Sequence, residues 1–244
     1  MLRAVTFDFW NTLFVDSRGR EREELRATVL REALEAASLT ASDAALAGAL
    51  RASWDYFDQV WVNEQRTPLC DELVDAVLAA LGARLPEAAQ AELVRRFERL
   101  VLDLPPEPTP GAVYTMPQIA ERYRLAVICD TGYSPGAVLR ELLERHDLLA
   151  YFEYAFFSNE HGMCKPDVRV FHHTLDELGV RPAESAHVGD IQRTDVAGAQ
   201  AAGMAAVHFI GANNHDAEHS TADIVLRHFD ELPQALGGLT CAGC

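Results

Sequence analysis

The sequence predicts an α/β fold, a doubly wound parallel sheet with an α-helical module inserted after its first strand. Three observations carry that expectation. Short apolar runs rich in β-branched and aromatic residues recur along the chain, and several of them end on a carboxylate. Helical patterns separate these runs. From about Ser17 to Pro110, by contrast, the periodicity is helical throughout.

The first run covers residues 2–9 and ends on Asp8-Phe9. Comparable runs lie at Leu125–Asp130, Ala155–Ser158, Ala186–Asp190, Ala205–Ile210 and Asp223–Leu226. Helices are expected at Ser134–Leu149, Val168–Leu178 and Asp195–Ala202, the last stopped by Gly203. Within the insert, apolar residues at three- and four-residue spacing predict helices from Leu25, over Ala44–Trp61, over Asp71–Leu81 and over Pro86–Leu102. The insert ends in Leu104–Pro110, where four prolines in seven residues cannot stay helical and read as a stiff connector. The expected domains are therefore a sheet core over 1–16 and 111–244 and a helical module over 17–110.

Composition narrows the function classes. Hydrophobic residues make up 49% and charged residues 24% of 244, an ordinary globular balance. A net charge of −16 argues against nucleic acid and anionic membrane as partners. No apolar run approaches a membrane span, and the N-terminus lacks a secretory pattern, so a cytoplasmic protein is expected. Five scattered cysteines fit reduced thiols, and the terminal Cys241-Ala-Gly-Cys244 reads as a frayed tail rather than a redox pair. Of the 21 basic residues, 20 are Arg and one, Lys165, is Lys. An Arg-biased background would spare a Lys where a compact ammonium does something a guanidinium cannot.

In an open parallel sheet, ligands bind at the carboxyl ends of the strands. Four places there carry reactive groups: Asp8-Phe-Trp10-Asn11-Thr12-Leu13, Cys129-Asp130-Thr131-Gly132, Lys165-Pro166, and Gly189-Asp190 with Asp195 five residues on. In order, spacing and strand context these resemble the haloacid dehalogenase-like superfamily, with its D-x-x-x-T-L, Lys-Pro and G-D-x-x-x-x-D motifs. The resemblance implies a Rossmann-like core, and the helical insert looks like the family's cap. It implies Asp8 as nucleophile and metal ligand, and Lys165 as the catalytic cation. Mg²⁺ would be held by Asp8, Asp190 and the Trp10 carbonyl, with Asp195 as support or ligand. Asn11, Thr12 and the backbone around Trp10 would cradle the substrate phosphate together with Cys129, Asp130 or Thr131. The substrate would be a small phosphorylated metabolite, taken by a monomer or homodimer.

The chemistry explains the residue types. A carboxylate attacking a phosphate monoester meets strong repulsion, which a divalent cation and an ammonium offset. Two positions depart from the family. Phosphatases of the superfamily carry a second Asp two residues after the nucleophile as general acid–base; here that position is Trp10, which has no titratable group and implies slow turnover. The residue expected to be Ser or Thr at the end of the second strand aligns with Cys129, and Asp130 beside a phosphate would repel it unless turned away or protonated. A metal-independent 2-haloacid dehalogenase, which also lacks the second Asp, and a catalytically weakened binding protein stay open as alternatives. Trp54, Tyr56, Phe57 and Trp61 read as core residues of the helical module rather than an aromatic rim, and His172, His173, His215 and His219 show no ligand constellation.

Overall fold

The structure is a computed structural model and describes residues 1–239. Its strands are β1 (Ala4–Phe7), β2 (Phe14–Val15), β3 (Glu107–Pro108), β4 (Arg124–Cys129), β5 (Tyr154–Phe157), β6 (Ser185–Gly189), β7 (Ala205–Phe209) and β8 (Ile224–Leu226). Its helices are α1 (Gly19–Ala36), α2 (Asp43–Asn63), α3 (Cys70–Leu81), α4 (Glu87–Asp103), α5 (Ala112–Ala120), α6 (Gly136–Arg145), α7 (Ser158–His161), α8 (Val168–Leu178), α9 (Ala197–Ala201) and α10 (Leu232–Gly238). The chain falls into two compact units. One comprises Met1–Asp16, Glu107–Asp130 and the chain from Leu143 onward; the other comprises Ser17–Pro106 and Thr131–Leu142. The second unit thus takes in the segment after β4 and gives up residues 107–110, against the expected limits of 17 and 110.

The first unit is built on a six-stranded parallel sheet in the order β5-β4-β1-β6-β7-β8. The chain steps outward from β1 through β4 to β5, then returns to the other side of β1 and runs on through β6, β7 and β8. The direction of winding reverses at β1, which makes it a doubly wound, Rossmann-like core with its switch point at the carboxyl ends of β1, β4 and β6. All four residues of β1 are buried, as a strand covered on both faces requires. On one face Ile128, Phe156, Val170, Phe171, Leu175 and Ala199 form a continuous apolar layer under α8 and α9.

The Pro-rich connector is more ordered than expected. Glu107 and Pro108 form β3, which pairs antiparallel with β2, so the two chain passages flanking the insert lie side by side. Proline is tolerated there because a two-stranded ribbon leaves an edge that needs no amide donor. The helix expected from Ser134 begins two residues later and stops at Arg145, followed by Asp147 at a positive φ of 56°. Of the stretch expected to be helical from Asp195, only Ala197–Ala201 is α-helix; Gln192–Val196 is a π-turn. Helix α5 had no counterpart in the sequence reading.

The helical unit packs α1 to α4 around Leu30, Leu46, Leu73, Val77, Leu93 and Phe97, with Tyr133 in the same core. The buried Arg26 guanidinium lies 4.0 Å above the Tyr133 ring and pairs with Glu23, whose Oε1 also accepts Trp54 Nε1 at 2.9 Å. Tyr56 and Phe57 pack against this core, and Trp54 meets Phe57 and Tyr133 edge-on.

Candidate functional site

The reactive residues of the sheet unit gather at the carboxyl ends of its strands. Asp8 follows β1 directly, and its amide continues the ladder by donating to Val188 O at 2.8 Å. Asp190 follows β6, and Asp195 lies on the π-turn beyond it. One carboxylate oxygen from each of Asp8, Asp190 and Asp195 lies within 4.8 Å of the other two, and all three residues are buried. Lys165 reaches the same point with only 2% of its surface exposed. Its Nζ donates to Asp8 Oδ1 and to Asp195 Oδ1, both at 2.6 Å.

Burial and repulsion set the charges. Burial pushes the Asp8 carboxyl well above the usual range, with Asp195 and Asp190 adding to the effect and Lys165 opposing it. Asp190 is pushed up to about 7, mainly by burial and then by Asp195. Asp195 is also buried, yet Lys165 and His187 hold it below the usual carboxylate range. Burial works against the Lys165 charge, but Asp195, Asp8 and Asp130 more than offset it and hold its pKa well above normal. One ammonium thus serves Asp8 and Asp195 directly, beside the third buried carboxylate, Asp190. Hard oxygen donors grouped this way suit Mg²⁺.

Asp190 and Asp195 are held differently. A Cβ on Gly189 would sit 2.3 Å from Asp195 Cγ, so only glycine leaves room for that carboxylate. Gly189→Ala is expected to destabilise the protein by about 1–3 kcal/mol and to remove turnover, read by thermal melting and assay of one preparation. Asp195 then receives Lys165 Nζ and His187 Nε2 on Oδ1, and the Ile191 amide (2.9 Å) and Thr194 hydroxyl (3.5 Å) on Oδ2. Four donors fill the capacity of a carboxylate. Asp190 receives Asn213 Nδ2 on Oδ2 at 2.8 Å, while its carbonyl accepts from His208 Nε2 at 2.9 Å.

The turn after Asp8 is shaped by Asn11, at a φ of 56° that asparagine tolerates better than most residues. Its amide donates to Phe14 O at 2.6 Å, and its Oδ1 accepts from the Asp16 amide. Trp10 is half-buried against Phe9, with ring centroids 5.1 Å apart. Thr12 is fully buried, and its Oγ1 has no hydrogen-bond partner among the described residues.

At the end of β4, Cys129 is buried and donates its thiol to Asp130 O at 3.6 Å; burial raises its pKa well above normal, so it stays protonated. Asp130 accepts the Lys165 backbone amide at 3.1 Å, so that oxygen is turned to the Lys-Pro segment. Thr131 is buried and groups with the helical unit. Cys241 and Cys244 lie outside the described residues.

The sequence reading missed Thr6, His187, His208, Asn213 and Ser220. Thr6, His187 and His208 lie in buried strands, where a lone polar residue within an apolar run is the available signal, whereas Ser220 lies in a polar loop and meets His208 Nδ1 at 2.9 Å. Asn213 gives no such signal, lying in a loop 23 positions beyond its partner. Of the histidines singled out, His173 pairs with Tyr154 at 2.9 Å and His172 with Ala202 O at 3.1 Å, while His215 and His219 take no part in the site.

Comparison with known proteins identifies the family and the fold. A family model for haloacid dehalogenase-like hydrolases matches residues 2–203. Glyceraldehyde 3-phosphate phosphatase of Methanopyrus kandleri is 28% identical over 233 residues, covering 92% of this chain and 91% of that protein. Among solved structures, the 2-haloacid dehalogenase of Pseudomonas syringae superposes with a TM-score of 0.69 at 22% identity, over 97% of this chain and 99% of that one. The HAD-hydrolase YfnB of Bacillus subtilis, bound to magnesium, superposes with a TM-score of 0.68 at 17% identity, over 96% and 98%.

Proposed function

We propose that this chain, which belongs to the haloacid dehalogenase-like hydrolase family, is a magnesium-dependent phosphohydrolase acting on a small phosphorylated metabolite through Asp8. The cluster of three buried carboxylates around the Lys165 ammonium carries this reading. The named activity of the Methanopyrus kandleri relative, matched over most of both chains, supports a phosphorylated substrate.

Asp8, Asp190 and the Trp10 carbonyl are the groups suited to hold Mg²⁺. Asp195, with its oxygens taken by four donors, is suited to support rather than direct ligation. When bound, the ion neutralises phosphoryl oxygens against the nucleophile's charge.

The remaining chemistry belongs to the chain. A carboxylate oxygen of Asp8 attacks phosphorus, and the bond to the leaving oxygen breaks with its electron pair leaving on that oxygen. Trp10 offers only an indole N–H, so the leaving oxygen takes its proton from water. Water then attacks the phosphorus of the aspartyl phosphate, returning Asp8 and inorganic phosphate. Lys165 keeps its ammonium against Asp8 throughout, and Asn11 shapes the amide-lined turn beside it. The Thr12 hydroxyl, without a partner among the described residues, is available to the phosphoryl oxygens. The helical unit is read as the family's cap.

Trp10 also favours a second reading, dehalogenation, because a halide leaves unprotonated. A substrate panel separates the two. Magnesium-dependent release of phosphate from acetyl phosphate or p-nitrophenyl phosphate, absent in Asp8→Asn, is the expected outcome. Metal-independent halide release from 2-chloropropionate would replace it with the second reading. Mg²⁺ at about 100 times its dissociation constant is expected to stabilise the protein by about 2.7 kcal/mol, seen as a rise in melting temperature that Asp190→Asn removes.

A further inference from the structure

Behind the acidic cluster lies a chain of donors that the proposed chemistry does not use. Thr6 and His187 are direct neighbours across the β1–β6 ladder, and Asp8 follows Thr6 by two residues. Side chains two apart on a strand share a face, so Thr6 and Asp8 point to the same side. The Thr6 Oγ1 lies 2.8 Å from His187 Nδ1, and His187 Nε2 lies 3.1 Å from Asp195 Oδ1. Thr6 and His187 are almost completely buried, and Phe171 walls the imidazole edge-on at 5.2 Å.

The chemistry of each partner fixes the direction of these bonds. An ionised Asp195 has no proton to give, so His187 Nε2 carries the hydrogen and donates. In the neutral ring Nδ1 is then an acceptor, and the Thr6 hydroxyl donates to it. The hydroxyl's alternative acceptor, Ala186 O, is at 3.5 Å, the longer of the two contacts. The order of donation is therefore Thr6 to His187 to Asp195, and Asp195 Oδ1 accepts from Lys165 at the same time.

We propose that His187, anchored at Nδ1 by the Thr6 hydroxyl, is a positioning residue that fixes Asp195 and through it the Lys165 ammonium against Asp8. The inference rests on the phosphohydrolase reading for its kinetic consequence, but not for the hydrogen-bond chain. Without the lateral donor, the Asp195 carboxylate can rotate and draw Lys165 with it. The loss then falls on kcat rather than on KM, because no substrate group touches His187.

Two readouts test this on the 244-residue chain. Imidazole ¹⁵N spectra of His187 are expected to show a protonated Nε2 and an unprotonated Nδ1, and Thr6→Val, which keeps shape but removes the hydroxyl, is expected to keep that tautomer while moving the Nδ1 resonance, which loses its donor. A protonated Nδ1 in the parent protein would overturn the chain of donation. For the kinetics, His187→Leu is expected to lower kcat at least tenfold on acetyl phosphate with KM within a factor of three. His187→Gln, whose amide nitrogen reaches the Nε2 position, is expected to recover most of that loss. Thr6→Val is expected to lower kcat several-fold in the parent but to have little effect in the His187→Gln background, where there is no Nδ1 for the hydroxyl to anchor. An equal Thr6→Val effect in both backgrounds, or a His187→Gln variant as slow as His187→Leu, would overturn the positioning role. Failure of the phosphohydrolase reading looks different: the parent protein would then release no phosphate from acetyl phosphate with Mg²⁺, whatever the tautomer.

Discussion

Lys165→Arg is expected to lower turnover by about 10²–10³-fold, the usual cost of removing one preorganised donor from a charged transition state. The side chain is 2% exposed and places one nitrogen 2.6 Å from each of two carboxylates. A planar guanidinium spreads its donors over a fork and needs more room than this buried site offers, with the buried Cys164 next to it in the chain and Asp130 bonded to its amide. Lys165→Met removes the charge altogether. It leaves the buried carboxylates uncompensated and is expected to cost about 3–5 kcal/mol of stability. Chemical denaturation of both variants separates the effects: the arginine form should retain more stability than activity. Near-normal turnover in Lys165→Arg would mean that no compact ammonium is required.

The second large effect is a gain. Trp10→Asp is expected to raise turnover of alkyl phosphate monoesters by about 10²-fold, the low end of what a positioned general acid supplies. The gain should depend on the leaving group. Acetyl phosphate, whose acetate departs without a proton, should change little, whereas an alkyl monoester should change most. The slope of rate against leaving-group pKa is accordingly expected to be steep in the natural protein and shallow in the variant. A shallow slope in the natural protein would mean that an acid outside position 10 already protonates the leaving oxygen.

Much of the sheet unit was legible because its physics is local. A strand buried on both faces reads as a continuous apolar run, and a carboxylate at its end stands out, as Asp8 and Asp190 do. The one lysine among 21 basic residues stood out by the same contrast, and it lies between Asp8 and Asp195. What escaped depended on contacts distant in sequence. The Thr6–His187 bond joins residues 181 apart, and the acceptance of the Lys165 amide by Asp130 joins residues 35 apart. The two-residue strands at Phe14–Val15 and Glu107–Pro108 are too short to show a period. The grouping of Thr131–Leu142 with the helical unit follows from Tyr133 entering that unit's core, which no local pattern announces.

The account stands on covalent phosphoryl transfer to Asp8, and mass analysis of an acid-quenched single turnover with acetyl phosphate and Mg²⁺ reads it directly. The expected result is a peptide carrying one phosphoryl group on Asp8, lost on treatment with hydroxylamine and absent when Mg²⁺ is withheld. Release of phosphate at the same rate with no label on Asp8, and undiminished in Asp8→Asn, would contradict it.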